Sequence, residues 1–209
     1  MIMKKSLKAI VAVVLMLSAT LSVNAQGSNR VTERFHFGIR GGFSINSWRG
    51  DGAENWDPIA APTGGFAFDF QIAPVPVFLG FGVNYLNEGF RAEHFELSSL
   101  KSTKESVNAS AIHVPLVFGY HFNVAPNLFV SPYAGGFMSY CVEDMDDDDD
   151  GLEDERFNYG MRIGCGLNFG RLTFDMSYDY GLKNMGSKHF DLRSGTFFAT
   201  IGYNIAGER

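Results

Sequence analysis

The segment EDMDDDDDGLEDE, residues 143–155, holds the densest set of potential metal ligands in the chain. Asp146, Asp148, Asp150 and Gly151 follow the first half of a calcium loop, in which oxygens at alternate positions surround a hard cation, and Asp154 adds a carboxylate. The twelfth position from Asp146 is Phe157, where a bidentate glutamate belongs, and no helical pattern flanks the segment. A solvated acidic loop is the favoured reading, with calcium at these four aspartates as its competitor.

The histidines offer less. His113 and His121 share one parity of a strand-like run, but at about 3.3 Å per residue they stand about 26 Å apart, too far to share a metal. His94 and His189 fall in expected loops, where Glu88 and Asp191 could join them at an outer rim. No nucleophile, base and acid recur at useful spacing, so no catalytic or cofactor-binding residue is assigned and no cofactor is expected. Cys141 sits at the end of one candidate strand and Cys165 in the middle of the next, which favours two separate thiols over a disulfide.

One further pair asks for explanation. Arg162 and Asp179 interrupt the stretch RFNYGMRIGCGLNFGRLTFDMSYDYGL, residues 156–182, which is otherwise apolar at every second position. Its apolar set runs Phe157, Tyr159, Met161, Ile163, Cys165, Leu167 and Phe169, then Leu172, Phe174, Met176, Tyr178 and Tyr180. A period of two means strands. The change of parity at Gly170-Arg171 is what a two-residue hairpin produces, with Phe169 opposite Leu172. Extending that register places Arg162 opposite Asp179 and Gly166 opposite Asp175, so a structural interior pair is expected.

The same alternation recurs at 35–45, 66–72, 77–85, 112–122, more faintly at 128–142, and at 197–205, which gives eight strands. Short links at 73–76, 123–127 and 170–171 interleave with long ones near 46–63, 91–106, 143–155 and 183–195. This layout predicts an all-β fold, an eight-stranded antiparallel up-and-down transmembrane barrel with short periplasmic turns and long extracellular loops. The positions between the apolar ones decide which face meets lipid. His36, Gly38, Arg40, Gly42 and Ser44, or Asn158, Gly160, Arg162, Gly164 and Gly166, mix small with polar residues. A solvent face would carry more Lys and Glu, whereas a cramped interior needs glycine and charges that can pair. Several of the 20 Phe and 8 Tyr fall near strand ends, as interfacial belts require. Such a barrel is nearly filled by its own side chains, so bulk diffusion through it is not expected.

The start of the chain gives the address. Lys4, Lys5 and Lys8 precede an apolar run from Ala9 to about Val23, and Val23-Asn24-Ala25 supplies small residues, the order of a secretory signal peptide cut after Ala25. The run is shorter than the roughly 20 residues a membrane helix needs. Without residues 1–25 the chain holds 14 Lys+Arg against 23 Asp+Glu, a formal charge of −9, which argues against nucleic acid as a partner.

FHFGIRGGFSIN (35–46), VNYLNEGF (83–90), AIHVPLVFGYHF (111–122), SPYAGGF (131–137) and FGRLTFDMSYDYGLKNM (169–185) resemble, in sequence and order, the PorT-like outer membrane β-barrel family. The resemblance implies an eight-stranded barrel in the outer membrane of a Gram-negative bacterium. The family's founding member is associated with a protein secretion system, and no functional residue transfers position by position. One departure is that Tyr203 is followed by NIAGER, where an aromatic last residue would suit the barrel-assembly signal.

The expectation is a cleaved signal peptide over 1–25, a periplasmic segment over 26–34, the barrel over 35–205 and a periplasmic tail over 206–209. The chain reads as a non-enzymatic, integral protein of the cell outer membrane with a structural or interaction role through its extracellular loops. The alternatives are an accessory component of a secretion apparatus and, less favoured, an outer-membrane enzyme. Its expected partners are outer-membrane lipid, the barrel-assembly machinery and envelope or secretion proteins.

Overall fold

A computed structural model describes residues 35–50, 56–72, 76–96, 101–142, 156–185 and 191–206, with Trp56, 88–96 and 101–109 described by their backbone alone. The expected signal peptide over 1–25, the segment 26–34, the acidic segment 143–155 with its four candidate aspartates, His189 and residues 207–209 lie outside this set.

Ten strands appear among the described residues: β1 (Phe35–Arg49), β2 (Trp56–Asp57), β3 (Ile59–Ile72), β4 (Val77–Glu96), β5 (Lys101–Tyr120), β6 (Phe122–Ala125), β7 (Leu128–Cys141), β8 (Phe157–Phe169), β9 (Leu172–Gly181) and β10 (Arg193–Ala206). Eight of them pair antiparallel in one ring, β1-β3-β4-β5-β7-β8-β9-β10, and β10 returns to β1. β2 pairs only β4, and β6 pairs only β7. Closure leaves no open edge around the ring, the condition for a sheet to cross a bilayer.

The ring is inside out relative to a soluble barrel. Phe43, Ile163 and Met161 are 66%, 64% and 61% exposed, whereas His113, Asn158 and Asp179 are 0–2% exposed. Every residue of the alternation that is apolar in sequence therefore meets the outside, which in a transmembrane barrel is lipid. Phenylalanines of β1, β3 and β4 tile one sector of that face, and the Phe68 and Phe81 rings stack at 4.5 Å.

The β8–β9 hairpin turns at Gly170, whose φ of +54° lies in the left-handed region that glycine enters freely. Its register runs from Phe169↔Leu172 through Gly166↔Asp175 and Arg162↔Asp179. The β6–β7 turn uses Asn127 at φ 64°, a position asparagine tolerates.

Two features depart from the sequence reading. The connection expected as a loop over 91–106 is mostly strand: β4 and β5 stay paired from Gly89↔Asn108 to Glu96↔Lys101, so His94 is a strand residue opposite Thr103. RAEHFE and KSTKES carry polar residues at both parities, with Ala92 and Phe95 on opposite ones, so the period that betrays a strand is lost there. The apolar run 112–122 is broken at His121, where β5 ends and β6 begins. The His121 amide donates instead to Pro76 O at 2.8 Å, closing the base of the ring between β4 and β5.

Candidate functional site

The inward parity of the ring builds three layers of side chains. At the short-turn end a hydrogen-bonded chain runs across neighbouring strands. His121 Nδ1 lies 2.8 Å from Ser131 Oγ, and Asn168 Nδ2 donates to the same oxygen at 2.8 Å. Thr173 Oγ1 donates to Asn168 Oδ1 at 2.9 Å, and Asn204 Nδ2 reaches Thr173 Oγ1 at 3.5 Å. The Phe78 ring stacks flat on His121, with centroids 4.2 Å apart. These residues form a floor.

Above it lies an ionic middle layer. Tyr133 Oη donates to both oxygens of Asp175, at 2.8 and 2.9 Å. Arg40 lies 3.5 Å from Asp175 and 3.8 Å from Asp69, so its guanidinium bridges β9 and β3. Burying these charges is tolerable only because each faces an opposite charge or a donor.

The upper layer is a roof. Arg162 Nε donates to Asp179 Oδ1 at 2.6 Å. The other oxygen of Asp179 shares a 2.7 Å hydrogen bond with His113 Nε2. His113 stands on β5 and Asp179 on β9, with β7 and β8 between them, so this bond is a strut across the lumen rather than a contact along the wall. Phe137 and Phe198 flank the His113 ring at 5.3 and 5.4 Å, and Arg162 lies over Phe198 at 4.5 Å. Leu86 is fully buried at this level.

The apolar members of the lumen, Phe78, Leu86, Val117, Phe137 and Phe198, are the residues that reading by parity overlooks. Their signal was an apolar residue standing on the polar parity, as in the doubled Phe197-Phe198, which an alternation search discards as noise.

Of the rim residues weighed for catalysis, His189 lies outside the described residues and Glu88 and His94 stand apart. Glu88 and His94 both lie on β4, six positions and about 20 Å apart along the strand. Asp191 pairs instead with Arg193 at 3.1 Å. Among the described residues no three His, Cys, Asp or Glu side chains cluster to hold a metal ion. No disulfide joins Cys141 and Cys165. Cys165 shares the lipid-facing parity of Ile163 and Cys141 the lumenal parity of Ser139, so they stand on opposite sides of the wall.

Chemically, the lumen offers struts and a lining. His113 is hydrogen-bonded to a carboxylate, as in an acid–base dyad, but its Nδ1 has no hydrogen-bond partner among the described residues and two phenylalanines enclose the ring. The arrangement ties β5, β8 and β9 together across the lumen.

Residues 24–186 match the family described as the outer membrane protein beta-barrel domain. Among solved structures, Ail, the attachment invasion locus protein of Yersinia pestis, is similar over 81% of this chain and 98% of its own, at 13% identity and a TM-score of 0.41. The N-terminal β-barrel domain of Pseudomonas aeruginosa OprF is similar over 80% of this chain and 97% of its own, at 13% identity and a TM-score of 0.35. No curated protein matches the chain.

Proposed function

Because the chain belongs to the outer membrane protein β-barrel domain family, we propose that it is a non-enzymatic barrel whose rigid wall carries a docking element at the cell surface. The observation that carries this reading is the β4–β5 hairpin. Its ladder continues to Glu96↔Lys101, whereas the neighbouring β7 ends at Cys141, opposite Ala111 of β5. About ten residues of the β5 arm therefore pass the end of β7, or about 33 Å of ladder, while on the other side β2 pairs Arg91 and Ala92 of β4. A projecting ladder offers main-chain donors and acceptors to an extended segment of another protein, the mode by which sheets recruit strands.

In this reading the signal peptide over 1–25 delivers the chain for export, the barrel-assembly machinery inserts it, outer-membrane lipid coats the wall, and an envelope or external protein meets the projection. The PorT-like motifs favour a narrower version, in which that protein belongs to a secretion apparatus. Replacing 90–107 by a two-residue turn tests the idea in cells carrying a photo-crosslinker at the barrel rim. The docking reading expects a folded, heat-modifiable barrel that loses its cross-linked partners. Unchanged cross-links would sink it. Deletion of the gene separates the narrower version, which requires a defect in exported cargo.

A further inference from the structure

The middle layer does not fill the lumen. Between the Phe78–His121 floor and the Arg162–Phe198 roof lies a chamber of about 70 Å³. A buried water needs about 10–15 Å³ of such space and two to four polar partners, so the chamber is large enough for several. Arg40, Asp69, Asn84, Tyr133 and Asp175 line it and offer polar partners to water. A Cβ placed on Gly166 would find its nearest neighbour at 3.5 Å, an ordinary contact, so even alanine fits where the chain has glycine.

Two properties of the chamber point the same way. With His113 and His121 counted as neutral, the described charged groups of the chamber and roof are Arg40 and Arg162 against Asp69, Asp175 and Asp179, which leaves one carboxylate in excess. A low-dielectric wall focuses that excess and concentrates cations inside. The two ends also differ in kind. The floor is a chain of hydrogen-bonding side chains beside one aromatic ring, Phe78, and water can bridge groups of that kind. The roof sets Phe137, Phe198 and Leu86 around the linked Arg162, Asp179 and His113, with Ser139 and Thr196 buried beside them, and its apolar rings narrow the lumen to a constriction of the kind that seals by excluding water.

We infer that the lumen is a cation path held shut at the roof, with the chamber as its hydrated middle and hydrated monovalent cations as the solutes it admits. Phe137 and Phe198 form the seal, and the excess carboxylate sets the selectivity.

The refolded protein and its Phe137→Ala/Phe198→Ala variant are compared in planar phosphatidylcholine bilayers under a KCl gradient, after heat-modifiable migration confirms folding. The wild type is expected to be silent. The variant is expected to give discrete current steps with a cation-selective reversal potential, and Asp69→Asn in that background to move the potential towards zero. A folded variant that stays silent, an anion-selective current, or an equal current through the wild type would overturn the inference. A second measurement does not depend on that variant folding. Thr200, which lines the chamber, is replaced by cysteine in a chain carrying Cys141→Ser and Cys165→Ser. Cationic methanethiosulfonate reagent in the buffer is expected to label it about tenfold faster than the anionic analogue. Equal rates, faster anionic labelling or no labelling would overturn the inference.

Discussion

The β8–β9 and β4–β5 hairpins use the same ladder and obey different constraints. In β8–β9 every residue has a side to be on. Met161, Ile163 and Met176 face lipid, and Arg162, Asp175 and Asp179 face the lumen. A slip of one position would exchange the two sets, so the register is fixed by the surroundings as much as by the turn. In the outer half of β4–β5 the backbone pairing continues although the sequence keeps no apolar parity. The first hairpin is a wall whose sequence is dictated by what it separates. The second is free to change its side chains without losing its shape, which suits a surface that meets partners.

Breaking the wall at its most connected point should have the largest effect. Asp179→Ala leaves Arg162 and His113 without their shared acceptor and is expected to cost about 3–5 kcal/mol in urea unfolding from lipid vesicles, the range for stranding a buried charge. A double-mutant cycle with Arg162→Met should recover part of that loss, and a coupling indistinguishable from zero would mean the pair does not hold the hairpin. Violating the lipid side comes next. Ile163 is central in β8 and 64% exposed, and Ile163→Arg is expected to destabilise the same transition by about 2–4 kcal/mol. Gly170→Val strains the turn where φ is +54° and should cost about 1–2 kcal/mol, with a strand register unchanged by amide cross-peaks. Shortening β4–β5 to a tight turn removes the most residues and should matter least. Because closing a loop depends only weakly on its length, a change of about 1 kcal/mol or less is expected. A large loss there would show that the projection supports the wall, and the contrast between the two hairpins would collapse.

The same contrast explains what could be read from the sequence. The eight staves, their antiparallel order and the hairpin through Gly170-Arg171 follow from parity, because lipid imposes a period of two on anything that crosses it. The facing of Arg162 and Asp179 follows from that register without further assumption. The extension of β4 and β5 was hidden, since residues 91–96 and 101–106 have no apolar phase to detect. The roof was hidden for the opposite reason. Phe198 follows Phe197, and only the fold shows that one ring meets lipid while the other packs near His113 and Arg162. The strut from His113 to Asp179 joins residues separated by 66 positions, a distance that alternation along a strand carries no information about.

The seam between β1 and β10 carries its own consequence. Phe43 pairs with Ala199 and Trp48 with Ser194, so the first stave of the ring is completed by the last. Until β10 arrives, β1 and β9 each expose a strand edge ready to pair with any other chain. Insertion is therefore an event with a single final stitch. A chain interrupted anywhere before Arg193 would remain an open sticky sheet, and timing rather than stability would decide whether it survives. An assembly partner that shields those two edges until the stitch is made would protect the step at which this fold is most exposed to error.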